Sequence, residues 1–581
     1  CRFDWSLRYS NVSEAFLFVS FGELKKLLYF CCIHKFYYMK GNCVIPKAMV
    51  FIGIFSLLLS MVACGSSNDD VVKIPDAEQP DSDDSQSGMN YDDLGWEHAE
   101  DVIKNMGLGW NLGNTLDACD YNQIHDGGDW MFWETCWGQS VTTPELMHML
   151  KQAGYGTIRV PVTWGIHMDA NGVVYSSWMN RVKQVVEYVL DAGMYCILNV
   201  HHDTGADEKA WLVASMKEYE AQKARYEGLW KQIAETFKEY DHHLLFESYN
   251  EMLDERRSWC FSTFNGEYDE EVAADAYAAI NSYAQSFVNV VRSTGGNNVG
   301  RNLIVNTYGA CNGTGTWNKH LIDPLVMMEL PEDVVENHLL FEVHTYPNID
   351  NLNAARSEVA DMILNLKKHL VAKGAPVIIG EWGNSSERPS LENKIAFITD
   401  FVEQVKAADM GLCYWMGITD GVARQVPAFS EPECAKAMLQ AFHGTDFQPE
   451  LPTMDAVNFS YAVTYQQQWS EVHLCSENIS LDEYKGVKVE LDGAPENGSL
   501  SIKVYGETEG VEQYTSMTGD CLEVTFDSSK LGNKVRRVTL QCSLDSEYCI
   551  TIKRAVLIRK DGTEEIQCPT SFWGCDVLLQ K

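Results

Sequence analysis

The sequence predicts a (β/α)8 barrel followed by a smaller all-β sandwich. One observation behind the barrel is a recurring unit between about residue 90 and residue 445, an amphipathic helix that stops at a glycine before a short apolar strand. Another is the count of such strands, which is eight. The sandwich rests on a change of pattern after residue 450. From there segments of period two alternate with Gly, Asp, Asn and Ser turns over roughly 120 residues.

The units run in order. TTPELMHMLKQAG leads into TIRVPV, and MNRVKQVVEYVLDAG into YCILNVHH. AARSEVADMILNLKKHLVAKG leads into PVIIGEWG, and NKIAFITDFVEQVKAADMG into LCYWMG. Thr143 suits a helix cap with Pro144 at the first helical position, and Gly154, Gly193 and Gly374 suit left-handed stops. The eight strands are placed at 108–115, 157–162, 195–202, 244–251, 302–308, 339–346, 376–383 and 412–417. They are near-continuous apolar runs, as a parallel sheet covered on both faces requires. A doubly wound open sheet is the alternative, but GLGWNLG (107–113) lacks the G-x-G-x-x-G spacing and no P-loop occurs. In the second region SLSIKVYGE, CLEVTFDSS, VRRVTLQCS and ITIKRAVLIRKDGTEE carry the alternation.

Ahead of the barrel, AMVFIGIFSLLLSMVA (48–63) is an uncharged run preceded by Lys40 and Lys47. It is short for a membrane span and suits a signal peptide. It ends in Val62-Ala63-Cys64-Gly65, which resembles a bacterial lipoprotein processing site with Met61 in the usual leucine position. The expected organisation is therefore upstream translation and signal peptide over 1–63 and an acidic tether over 64–88. The barrel then covers 89–447 and the sandwich 453–581. Cys64 is the expected lipid anchor at the bacterial outer membrane or cell surface, with secretion as the alternative. The remaining cysteines are scattered without C-x-x-C pairs, so neither a zinc site nor a disulfide framework is indicated, and Cys196 and Cys413 read as small buried hydrophobes.

The formal charge of −37, from 45 basic and 82 acidic residues, argues against nucleic acid and anionic ligands and favours a neutral one. In such a barrel the site lies at the C-terminal ends of the strands. Those ends carry Arg159, His201, His202, Asn250, Glu251, His344, Tyr346, Glu381 and Trp415. Glu251 and Glu381 each follow an apolar run, and two carboxylates across a cleft for a neutral ligand suggest glycoside hydrolysis. Arg159 and the Tyr346 hydroxyl are expected to keep one carboxylate ionised, and less polar surroundings to keep the other protonated. A metal at His201, His202 and Asp203 is set aside because adjacent strand residues face opposite ways. H-E-x-x-H and G-x-S-x-G are absent, and His242 and His243 read as surface residues.

With these residues in place the chain resembles the glycoside hydrolase family 5 cellulases over roughly residues 90–445. GWNLGNTLDA (109–118), which contains Asn114, and WETCWGQSVTT (133–143) are similar to landmarks of the endoglucanase-rich subfamily. IRVPVTW, NVHH, YNEM, VHTYP, GEWG and CYWMG follow in the family's order, with Met252 in place of the usual proline. The resemblance implies Glu251 as acid/base and Glu381 as nucleophile. It implies Asn114, Arg159, His201, His202, Asn250, His344, Tyr346 and Trp415 as substrate contacts. It also implies retention of configuration, no metal or other cofactor, and β-linked polysaccharide as the partner of a monomer. β-1,4-glucan is expected, with xyloglucan, mixed-linkage glucan or β-mannan as alternatives on the same chemistry. A non-catalytic surface glycan-binding lipoprotein is the alternative of another class. The sandwich resembles accessory domains of polysaccharide-degrading enzymes, with Trp469, Tyr484, Tyr505 and Trp573 as candidate stacking residues.

Overall fold

In the computed structural model residues 95–580 are described, apart from 122–124, 260–267, 316–318, 388, 457–458 and 496–497. The expected signal peptide, Cys64 and the tether lie outside the described residues.

Eight parallel strands form a closed barrel in sequence order. They are β1 (Gly109–Asn111), β2 (Thr157–Val160), β3 (Tyr195–Asn199), β4 (Leu244–Glu247), β5 (Leu303–Asn306), β6 (Leu339–Thr345), β7 (Val377–Trp382) and β8 (Gly411–Trp415). β8 pairs with β1 to complete the ring. Seven lie within stretches expected to be strands, and β8 begins one residue before its expected start at 412; β1 is shorter than its stretch because the chain leaves the sheet after Asn111. Between the strands run helices such as Pro144–Ala153, capped by the Thr143 side chain and stopped by Gly154 at φ 119°. Only a residue without a Cβ takes that conformation at no steric cost.

The alternation of each strand stacks side chains in layers inside the barrel. Ile197, Leu245, Ile304, Leu340, Ile378 and Cys413 form an apolar floor, closed from below by Val102 of the Ala99–Asn105 helix and by Met106 just after it. Two residues further along each strand the layer turns polar: Asn111, Arg159, Asn199, Glu247, Asn306 and Glu342, all buried. On β7 the corresponding residue is Gly380. Here the pairing slips, with Val343 opposite Ile379 but His344 opposite Glu381, so that Gly380 is the extra residue of a bulge. Bulges re-aim side chains. This one turns Glu381 toward the barrel mouth, while Trp382 packs outward on Phe401.

The C-terminal region holds two antiparallel sheets. One contains β10 (Glu471–Ser480), β12 (Leu500–Gly506), β13 (Glu512–Ser516), β15 (Lys534–Cys542) and β18 (Thr570–Trp573). The other contains β9 (Ser460–Tyr465), β11 (Tyr484–Asp492), β14 (Cys521–Thr525), β16 (Tyr548–Arg559) and β19 (Cys575–Gln580), with β17 (Glu564–Ile566) hairpinned onto β16. Val472, Ile502 and Leu540 of one sheet share a core with Val463, Val487 and Ile552 of the other. Sequence reading singled out β12, β14, β15 and the β16–β17 hairpin, and passed over the rest. Barrel residues Ala423, Val426 and Ala428 pack with Met454, Phe459 and Leu579.

Candidate active site

Arg159 organises the site from the polar layer. Its Nε and Nη2 donate to the two oxygens of Glu247, each at 2.7 Å. Nη1 donates to Asn111 Oδ1 at 2.9 Å and to Glu381 Oε1 at 2.8 Å. Nη2 also donates to Asn250 Oδ1 at 2.8 Å. All five guanidinium protons are thereby engaged with fixed partners. Burial works against the arginine charge, but Glu247 and Glu342 outweigh it, and the pKa lies well above its usual value.

Glu381 receives a second donor, the Tyr346 hydroxyl, at 2.7 Å from Oε2. Burial first, and then the charges of Glu381 and Glu251, push that phenol well up, so the hydroxyl retains the proton it donates. Both donors expected for one carboxylate thus fall on Glu381, itself 5% exposed. Glu251 sits across the mouth. One oxygen from each carboxylate and a ring nitrogen of His344 lie within 4.8 Å of one another. The surroundings of Glu251 are more polar than those expected for the protonated carboxylate. Its Oε1 is 2.7 Å from His344 Nδ1, and its side chain is 25% exposed.

His344 bridges three acids. Besides Glu251, Nδ1 is 3.6 Å from Glu381 Oε2, and Nε2 is 3.3 Å from Glu342 Oε1. Burial opposes the imidazolium, but Glu381, Glu251 and Glu342 together raise its pKa to about 10. Glu342 also lies 3.2 Å from Arg159 Nε. Burial and then the neighbouring Glu247 charge push the Glu342 carboxyl up. Burial acts on Glu247 in the same sense, but the bidentate Arg159 overcomes it and holds Glu247 down. Glu247 therefore carries the charge and Glu342 the proton. Gly380 makes room for this acid, because a methyl at that position would overlap Glu342 Oε1.

Neither Glu247 nor Glu342 was singled out from sequence, although both stand as charged residues inside the apolar strands LLFESYNE and LLFEVHTY. Asn199, which donates to Glu247 Oε1 at 3.0 Å, and Asn306, at 3.3 Å, were missed likewise.

His201 is buried, with Nδ1 hydrogen-bonded to the Asn199 amide and Nε2 3.8 Å from Glu381 Oε1. Burial, His202 and Arg159 hold it well below the usual pKa, hence neutral. Its ring lies parallel to Trp415, with centroids 5.8 Å apart. His202 and Asn114 are set further out: His202 Nε2 is 3.8 Å from Asp117 Oδ2, to which the Asn114 N–H also donates at 3.0 Å. The expectation that His201 and His202 point apart is corrected here. Both follow the end of β3, where alternation no longer applies, and their rings meet edge-on at 4.5 Å. With Asp117 they bring three ligand-type atoms within 4.8 Å of one another, whereas Asp203 is turned to the backbone N–H groups of Trp164 and Gly165. Beside His202 stands Trp137, 38% exposed, an aromatic of the WETCWGQ segment that received no role from sequence. On the other side of Glu251 a pocket of about 350 Å³ is lined by Trp259, Asn312, Thr314, Tyr346 and Glu358.

Residues 121–420 match the cellulase family, glycosyl hydrolase family 5. The chain is 33% identical over 316 residues to endoglucanase A of Clostridium longisporum, across 50% of its own length and 55% of that protein's, so it spans about half of that relative. It is 30% identical over 331 residues to endoglucanase B of Ruminococcus albus, across 55% of its own length and 72% of the relative. Among solved structures it is 51% identical to a GH5-4 broad-specificity endoglucanase from an uncultured bacterium, covering 60% of this chain and 96% of that one, with a TM-score of 0.58. It is 40% identical to a family 5 glycoside hydrolase from Prevotella bryantii, solved in complex with a xyloglucan tetradecasaccharide. There the coverage is 60% and 99% and the TM-score 0.54.

Proposed function

The chain belongs to glycosyl hydrolase family 5, the cellulases, and on that premise we propose that it is a retaining endo-β-1,4-glucanase. The observation that carries the stereochemistry is the approach of Glu251 and Glu381 to within 4.8 Å. Retaining glycosidases place their carboxyl groups about 5–5.5 Å apart, whereas inverting ones need roughly 6.5–9.5 Å to seat a water.

In this reading a Glu381 oxygen attacks the anomeric carbon as the bond to the leaving sugar's oxygen breaks. Glu251 supplies the proton that this oxygen acquires. Arg159 and Tyr346, donating to Glu381, fix its orientation during attack. Glu251, now a carboxylate, takes a proton from water, whose oxygen attacks the same carbon and releases Glu381. His344 on Glu251 Oε1 leaves the other oxygen to face the glycosidic bond. Asn250, its Oδ1 committed to Arg159, has its NH2 to offer a sugar hydroxyl, and Trp415 has a ring face for the sugar.

A second reading, xyloglucan as a main substrate, is favoured by the pocket of about 350 Å³ beside Glu251, which has room for a branch of the chain. The Prevotella relative solved with a xyloglucan oligosaccharide supports it too. Initial rates on β-1,4-glucan, mixed-linkage glucan, xyloglucan and β-mannan decide between the readings. Absence of reducing-end release from all of them would leave the glycan-binding alternative standing. Anchoring through Cys64 belongs to the same proposal. Cys64→Ala should abolish lipid labelling and release the protein from membranes, and an unchanged membrane fraction would refute the anchor.

A further inference from the structure

We propose that the outer face of the five-stranded C-terminal sheet is a second glycan site, a shallow cleft that takes a neutral β-linked glucan chain. The two rows of paired residues that cross all five strands define its surface. In one, Trp573, Glu471, Gln541, Ser501 and Ser516 stand side by side. In the next, Thr570, His473, Thr539, Lys503 and Tyr514 do so. Directly paired residues project to one face. The apolar residues between them, such as Val472, Ile502 and Leu540, enter the core on the other.

A solvated sheet face ordinarily carries mobile polar side chains. On this face Glu471, Gln541, Ser501 and Thr539 are 6%, 8%, 1% and 0% exposed. The Tyr505 hydroxyl lies 2.9 and 2.8 Å from the two Glu471 oxygens, Gln541 Nε2 donates to Glu471 Oε1 at 2.5 Å, and the Tyr514 hydroxyl donates to Gln541 Oε1 at 3.2 Å. Among the described residues the Thr539 hydroxyl, in the middle of the second row, has no hydrogen-bond partner. A buried carboxylate held in this way fixes donors and acceptors in advance, which lowers the entropic cost of binding.

Flat apolar groups rim the cleft. Trp573 (50% exposed) stands on β18 and Tyr514 (48%) on β13, and Trp469 (49%) lies two residues before β10. Four strand spacings of about 4.8 Å put the two edges roughly 19 Å apart. Trp469 holds φ at 68°, an uncommon conformation for a bulky residue. The charges on the face cancel: Glu471 and Glu512 lie against Lys503, and Arg537 caps the Tyr505 ring at 4.0 Å. On a chain of net charge −37 such a balanced patch suits a neutral ligand with apolar ring faces and hydroxyl edges. Two residues suggested by sequence are reassigned. Tyr505 is buried and positions Glu471, and Tyr484 lies on β11 in the other sheet, bound to Glu565 and Arg559.

That the ligand is a β-glucan rests on the reading of the barrel, so catalysis and binding are measured separately. The full chain carrying Glu381→Ala, which leaves the polysaccharide intact, is run in native gels containing soluble β-glucan. Trp469→Ala/Trp573→Ala, and separately Tyr514→Ala on the opposite edge, should weaken the apparent affinity about tenfold each, the scale of an aromatic anchor. With Glu381 restored, the same variants should hydrolyse a short soluble oligosaccharide at the unaltered rate. Undiminished retardation, an equal fall in oligosaccharide hydrolysis, or conversion of a dimer to a monomer in sedimentation would overturn the proposal. Failure of the parent to cleave any β-glucan would instead strike the barrel reading.

Discussion

Glu247 and Glu342 face each other inside the barrel, and the structure assigns the charge to one and the proton to the other. Replacing each in turn by glutamine separates these roles. At position 342 the amide reproduces the protonated acid. Its oxygen still lies 3.2 Å from Arg159 Nε and hydrogen-bonds His344 Nε2 at 3.3 Å, and its NH2 stands where the carboxyl proton stood. Shape and charge are conserved, so Glu342→Gln should cost less than about 1 kcal/mol. At position 247 the amide removes the charge that two 2.7 Å hydrogen bonds from Arg159 balance, and its NH2 confronts a donor. Removing one partner of a buried ion pair costs about 3–5 kcal/mol. A loosened Arg159 would also carry its error to Glu381 Oε1, 2.8 Å from Nη1. A loss of about 2.7 kcal/mol there lowers kcat/KM roughly 100-fold. Urea unfolding at pH 7 and kcat/KM on soluble glucan measure the two effects. Equal losses for both variants, or a larger loss for Glu342→Gln, would refute the assignment.

Gly380→Ala should displace the Glu342 carboxyl and cost about 3 kcal/mol. In the double variant with Glu342→Ser the penalty of the alanine should largely vanish, and an additive cycle would mean the overlap is not its cause. His344 holds its proton in the fold up to about pH 10 and near 6.5 when unfolded. Its stabilisation is therefore complete below pH 6.5 and lost as pH rises through 10. The raised Glu342 carboxyl acts in the same sense, so the urea midpoint should fall between pH 7 and 10, and His344→Gln should flatten that slope. Glu251→Ala should slow substrates with poor leaving groups by about 10²- to 10⁴-fold while sparing activated aryl glycosides, with azide restoring turnover. Glu381→Ala should be slow with every leaving group, and the reverse dependence would exchange the two roles.

The barrel was legible because its signals are local. Thr143, Pro144 and Gly154 punctuate a helix by their own backbone preferences, and the apolar runs of β3 and β5 need no partner to be recognised. Glu251 and Glu381 were legible because a carboxylate stands out after an apolar run. The C-terminal sheets were harder. β9, with Tyr461, Val463 and Tyr465 inward, carries the same alternation as β12 but lies among polar residues that mask its ends. Which face of β10 meets solvent depends on β12 and β15, and no local signal ties Glu471 to Tyr505, 34 residues away.

The two acids that sequence reading passed over show where its logic was incomplete. LLFESYNE and LLFEVHTY each place a glutamate in the barrel interior, which is a stronger anomaly than a carboxylate at the barrel mouth, because the interior offers no water to solvate it. Alternation says that Glu247 and Glu342 point inward, the same direction as Arg159 on β2. One arginine cannot neutralise both of them and also serve Glu381, so either a further cation or a bound proton must enter the layer. The structure supplies both: His344 carries positive charge and Glu342 keeps its proton. Gly380 is bound to the same constraint. A side chain there would compete with Glu342 for space, and the bulge made at that glycine is also what swings Glu381 into the mouth. The placement of the nucleophile and the tolerance of a buried acid beneath it thus depend on one residue. A change at 380 should therefore disturb reactivity and stability together, whereas a change at Tyr346, which touches Glu381 from the open side, should disturb reactivity with far less effect on folding.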